Sequence, residues 1–141
     1  MQSLAPREYQ YLTVLAQAYR DTHLQTMKTA SHYNPRLGVD ALCFEHTDLS
    51  VNSAALMVGA LITPCELWLV AVPEPSQLSS SLPETLLLDL PSGRYPLTLE
   101  RLPNDYEIYK RVILNDLSDL ESMQEAARLA QQMMSRLMAE E

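Results

Sequence analysis

Bond-making chemistry needs a nucleophile, a metal or a bound phosphate, and few residues here could supply one: two cysteines, three histidines and three glycines among 141 residues. His23, His32 and His46 lack the spacing of a metal-ligand set, and Gly38, Gly59 and Gly93 make no phosphate-cradling loop, so neither a metal nor a cofactor is expected. Cys65 follows Pro64 in a turn signal, where an exposed thiolate could act as a nucleophile, but no general base is recognisable near it. Packing is the plainer use for Cys65 and for Cys43. The chemistry that remains is recognition. Glu66 sits inside the most apolar stretch of the chain, with Leu61 and Ile62 before it and Leu67 and Trp68 after it. A carboxylate beside apolar surface can hold a partner by charge and burial together, and these five residues are the candidate binding site.

The element that must position them is residues 54–73, which are nearly all apolar. A continuous apolar run has to leave water on both of its faces. Pro64 and Glu66 at its midpoint would break a membrane span, so insertion is not expected. Two buried strands fit instead, with Val58, Leu61, Ile62, Trp68, Val70 and Val72 as β-branched and bulky content. Thr63-Pro64-Cys65-Glu66 is then the turn and Pro73 the stop. Trp68 and Leu67 would lie on opposite faces of one strand, so that one of them is left without an obvious cover.

The flanking segments supply the layers. Residues 6–28 carry Tyr9, Leu12, Leu15, Ala16, Tyr19 and His23 at helical spacing behind Pro6, and His23 on that face suits a structural histidine better than a ligand. Tyr33-Asn34-Pro35-Arg36-Leu37-Gly38 breaks the helix. Residues 41–47 read as a strand and 48–53 as a polar turn, whereas 74–83, with its prolines and serines, reads as a loop. Residues 84–90 suit a strand or short helix, and 94–101 alternate as a half-exposed strand that Pro96 places near an edge. Ser118-Asp119-Leu120-Glu121 forms a capping box, followed by a helix whose seam is Leu120, Met123, Ala127, Ala130, Met134 and Leu137. These elements predict one domain over residues 1–141, of α+β class. Its architecture is a two-layer sandwich in which an antiparallel sheet of about five strands carries the N- and C-terminal helices on one face. A loop, a second copy or a ligand would cover the other face.

The formal charge is -8 and unevenly placed. Residues 1–40 carry four Lys/Arg against three Asp/Glu, and residues 41–141 carry six against fifteen. Nucleic acid and anionic lipid would be repelled, and a basic peptide attracted. Two cysteines and the lack of a basic-then-apolar leader predict a cytoplasmic protein.

Gly59-Ala60-Leu61-Ile62-Thr63-Pro64, the second apolar strand ending at Pro73, Leu90-Pro91-Ser92-Gly93 and the apolar segment before the last helix resemble the HybE/HupJ family of nickel-iron hydrogenase assembly chaperones. Asn34-Pro35-Arg36-Leu37-Gly38-Val39-Asp40-Ala41 is similar to that family's lead into its first strand. The resemblance covers about residues 33–138. Two positions depart from the pattern: Cys65 stands where the family usually has Trp, and Asn115-Asp116 where it has Ser-Pro. Membership implies a cytoplasmic chaperone with a fold similar to type III secretion chaperones. It further implies action on the hydrogenase small subunit, whose twin-arginine signal peptide would be bound so that export waits for cofactor assembly, with the large subunit as a further candidate partner. Two other classes remain in view: a homodimeric adaptor or secretion-type chaperone for another partner protein, with the apolar sheet face or the Met-rich seam of the last helix as subunit interface, and a thiol enzyme using Cys65.

Overall fold

Pro6 opens the first helix, α1 (Pro6–Lys28), where its fixed φ costs nothing, and the carboxylate of Glu8 turns back to accept the Ala5 amide at 2.7 Å. Glu8 also reaches His46 Nε2 at 2.8 Å, tying the start of the helix to the sheet. Burial works hardest against this carboxylate's charge, but the Ala5 amide and His46 outweigh it and hold its pKa below the usual value. The computed structural model describes residues 5–51, 54–74, 82–102 and 106–139. After α1 come six strands, β1 (Asp40–Val51), β2 (Ala54–Ile62), β3 (Leu67–Pro73), β4 (Thr85–Leu90), β5 (Gly93–Arg101) and β6 (Glu107–Leu114), and then α2 (Met123–Leu137).

The strands form one antiparallel sheet in the order β1-β2-β3-β6-β5-β4. The two end strands, β1 and β4, approach one another, so the sheet is curled. The α+β class and the central hairpin are as expected from the sequence, and the sixth strand is β6. It lies between β3 and β5 and joins the hairpin to the second half of the sheet. The first strand runs on to Val51, past the turn expected at 48–53, of which residues 52–53 lie outside the described residues. Thr47 keeps it extended, donating to the Leu56 carbonyl at 2.9 Å and accepting the Leu49 amide at 3.1 Å. Of the loop expected over 74–83, residues 75–81 also lie outside the described residues.

Strand alternation sends Leu56, Val58, Ala60, Ile62, Leu67, Leu69 and Ala71 to the concave side, against Ala126, Ala130 and Met134 of α2. Met57, Leu61, Trp68, Val70 and Val72 go to the convex side, against Leu12, Leu15 and Tyr19 of α1. The helices therefore lie on opposite faces, not together on one. The physical reason is the hairpin itself: it is apolar on both faces, each face needs a cover, and the two helices divide the task.

Two local expectations shift. The cap of α2 is Ser122, whose hydroxyl accepts the Glu125 amide at 3.2 Å, while the Glu125 carboxylate accepts the Glu121 amide at 3.0 Å. Ser118 instead lies upstream, its amide bonded to the Asp116 carboxylate. Along the helix Ala126 is buried, whereas Ala127 is only half-buried.

A bulge in β1 carries backbone strain. Cys43 takes φ 60°, a left-handed conformation that costs a residue with a Cβ about 1–2 kcal/mol. The kink seats Phe44 over Gly59 on the convex side. Cys43→Gly should raise stability by about 0.5–1 kcal/mol, the relief exceeding glycine's extra freedom in the unfolded chain. Thermal melting checks this, and a lower melting point in the variant would contradict it.

Candidate functional site

Thr63 builds the turn that presents Glu66. Its hydroxyl accepts the amides of Cys65 at 3.1 Å and Glu66 at 2.8 Å, and its own amide donates to the Glu66 carbonyl at 2.9 Å. Asn34 steadies the turn from outside by donating its amide to the Pro64 carbonyl at 3.0 Å. Glu66 emerges half-buried, its Oε1 accepting a hydrogen bond from Trp68 Nε1 at 2.9 Å.

The other four candidate residues form two back-to-back pairs. Leu61 lies opposite Trp68 on the convex side, and Ile62 opposite Leu67 on the concave side. All four are buried, Trp68 and Leu67 at 0% exposure. The expectation that Trp68 or Leu67 would lack a cover is corrected here, because α1 covers the one and the core beneath α2 the other. Trp68 is gripped from two sides: Tyr19 of α1 meets it edge-on with centroids 4.9 Å apart, and the Lys110 ammonium lies 4.0 Å from the indole centroid.

Cys65 is buried too, its Sγ directed at the Met27 carbonyl at 3.8 Å. Burial, and secondarily the Glu66 charge, push its thiol pKa up, the reverse of what activates a nucleophile. The reactive, exposed Cys65 of the thiol-enzyme reading is not what the fold presents. His23 lies against the Tyr19 ring, 4.4 Å between centroids, and among the described residues no group of three His, Cys, Asp or Glu could hold a metal.

Beyond the edge of α1 the convex face carries exposed apolar side chains among the described residues. Val112 of β6 lies opposite Trp68 and is 39% exposed, and Leu87 of β4, 58% exposed, lies opposite exposed Pro96 of β5. Leu114, opposite Leu67, is exposed at the end of β6 beside the Glu66 turn. The charges on this face are mutually satisfied: Arg94 with Asp89 at 3.4 Å and Lys110 with Glu100 at 3.4 Å. Glu66, among the described residues, has no cationic partner. The result is an apolar strip across three strands, leading to an unneutralised carboxylate.

Sequence reasoning missed the residue that holds this end together. Asn34 is 2% exposed; its Nδ2 donates to the carbonyls of Leu117 at 2.9 Å and Leu120 at 2.8 Å, and its Oδ1 accepts the Arg36 amide at 3.0 Å. The only signal was a helix-breaking Asn-Pro, which speaks for a turn and not for burial.

Among the described residues the sheet is two-sided and carries an exposed apolar strip ending at a carboxylate, the kind of surface that marks protein–protein interaction sites. The family described as "[NiFe]-hydrogenase assembly, chaperone, HybE" matches residues 10–141, and the chain belongs to it. Among solved structures, the solution structure of HybE from Escherichia coli is similar, with a TM-score of 0.62 at 20% identity, over 90% of this chain and 78% of that one. That likeness carries the fold. No curated protein matches the chain significantly. No helix among the described residues is long and apolar enough to cross a membrane.

Proposed function

We propose that this chaperone acts without enzymatic chemistry in the cytoplasm, holding the twin-arginine signal peptide of a hydrogenase small subunit and delaying its export until the cofactors are in place. The observation that supports this reading is the exposed strip of Val112, Pro96 and Leu87 that leads to Glu66, which among the described residues has no cationic partner. A signal peptide offers an arginine pair followed by an apolar stretch. The arginines would meet Glu66, where a guanidinium and a carboxylate can make charge-assisted bonds, and the apolar stretch would lie along the strip. Trp68 positions Glu66 through its indole N–H, while Leu61, Ile62 and Leu67 form the wall beneath and act indirectly. Release upon cofactor assembly then frees the export signal, and no covalent step is required.

Calorimetry with a synthetic peptide carrying an arginine pair and an apolar stretch tests the site. Val112→Asp should lower affinity by at least about tenfold, or 1.4 kcal/mol, with the fold retained. Glu66→Gln should weaken binding several-fold at low salt and less at high salt, since exposed charge pairs are screened. Replacing the peptide's arginines by glutamines should reproduce the Glu66→Gln effect. Unchanged affinity in both variants moves the site elsewhere, and a solution dimer that protects Val112 would favour the adaptor reading.

A further inference from the structure

The hairpin end is not the only place where this fold can receive a chain. At the opposite side of the sheet, β1 is an end strand whose ladder bonds go to β2; β4 approaches it where the sheet curls but lines no part of the cleft at residues 43–45, and α1 and α2 flank it on the convex and concave sides. Between the helices lies a cleft of about 480 Å³ whose floor is β1 from Cys43 to Glu45. Its convex-side wall is Tyr9 of α1, 53% exposed, beside Phe44. Its concave-side wall is α2, which presents Met134 and Met138 on one stripe and Gln131 and Ser135 on the next, each pair one helical turn apart.

The chemistry of these walls selects the occupant. Glu45 lies opposite Val58 in the ladder, which places it on the α2 side, and it is exposed and without an ion-pair partner among the described residues. It is the one charged side chain among the described residues lining the cleft. A lysine or arginine can lay its methylene stem along half-buried Met138, with buried Met134 behind it, and its head at Glu45, the way long cationic side chains cover apolar surface. Gln131 and Ser135 can hydrogen-bond a visiting backbone, and Tyr9 with Phe44 accepts an apolar side chain on the other face. An extended segment alternating basic and apolar residues meets all of these demands at once. A second copy of this chain does not: two β1 edges related by a two-fold axis would bring Glu45 toward its own copy, at a net charge of -8 per chain. The β1 bulges also twist the edge away from a long flat partner, limiting addition to a few residues.

We infer that the β1 edge is a second docking site, which takes a short extended peptide segment of alternating basic and apolar residues by strand addition. It is distinct from the hairpin strip and does not depend on it. The test is a nuclear magnetic resonance titration of the full chain with the capped hexapeptide Val-Lys-Val-Lys-Val-Lys. Shifts and hydrogen-exchange protection are expected at the amides of residues 43–45, with methyl shifts at Met134 and Met138. Glu45→Gln should weaken binding several-fold at low salt and less at high salt, and the matching Val-Glu hexapeptide should not bind. Binding that is equal for the lysine and glutamate peptides, or that survives Glu45→Gln unchanged, overturns the inference. So does a response confined to Glu66 and Val112, which would assign the peptide to the hairpin strip alone.

Discussion

Gly59→Ala is expected to destabilise the fold severely, by about 3 kcal/mol or more. A Cβ built on Gly59 would stand 2.5 Å from two ring carbons of Phe44 and 2.8 Å from its Cα, closer than carbon atoms approach without displacement. The ring could swing aside, but the Phe44 backbone could not, because β1 is held to β2 on both sides of the bulge. Nor can Gly59 retreat. Its strand is bonded to β1 on one edge and β3 on the other, where Gly59 faces Val70. Overpacking in a well-filled core typically costs about 1–3 kcal/mol, and a clash with backbone on a central strand belongs at or beyond the top of that range. Against a total stability of roughly 5–15 kcal/mol this is a large fraction. Chemical denaturation of Gly59→Ala, alone and with Phe44→Ala, separates the causes: the second change should restore part of the loss but not all, since the clash with the Phe44 main chain remains. A single variant that melts within about 2 °C of the parent would show that the two strands yield more easily than their pairing implies.

The second large effect is expected at Asn34. Alanine there removes both Nδ2 donors at once and leaves the carbonyls of Leu117 and Leu120 without them, besides the Arg36 amide without its acceptor. Each buried group so orphaned costs about 1–3 kcal/mol, less where water can reach it, and Leu120 is only half-buried. A loss of about 3–4 kcal/mol follows, a drop in melting temperature of roughly 10 °C for a domain of this size. Asn34→Asp tests the same geometry more sharply: it keeps the acceptor for Arg36 but turns a carboxylate toward two carbonyls, so it should be at least as destabilising. Equal stability of Asn34→Ala and the parent would mean that water replaces the side chain at both carbonyls. The main-chain bond from the Asn34 N–H to the Pro64 carbonyl survives the substitution, so the turn that carries Glu66 should keep its local geometry.

The sequence was most legible where one element speaks for itself. The N-terminal helix, the central hairpin, its turn and the class of the fold follow from periodicity, Pro placement and the continuous apolar run. It was least legible where the outcome depends on what lies across the fold. The run in residues 54–73 shows that both hairpin faces are buried, yet the division of the two helices between those faces is a property of the whole chain. Strand β6 was missed as a named element because Glu107-Ile108-Tyr109-Lys110-Arg111 mixes charge with apolar content; Lys110 belongs there only once Trp68 offers its ring and Glu100 its carboxylate. The candidate site suffered in the same way. Burial removed Leu61, Ile62, Leu67 and Trp68 from the surface, and the exposed strip of Leu87, Pro96 and Val112 assembles from three strands whose neighbourhood no local pattern reveals.

The placement of α1 on the convex face also bears on how the chain matures as it is made. The helix is synthesised first, yet its seat is formed by Trp68 on β3 and Ile108 on β6, and Ile108 follows Tyr19 by roughly 90 residues. At a synthesis rate of about 5–20 residues per second, the seat appears some 5–20 s after the helix. Until then Leu12, Leu15 and Tyr19 have only the earlier part of their seat, with Phe44, Met57 and Leu61 emerging before Trp68 and Ile108 complete it. Slow, non-local pairing of β3 with β6 then becomes the step that ends their exposure.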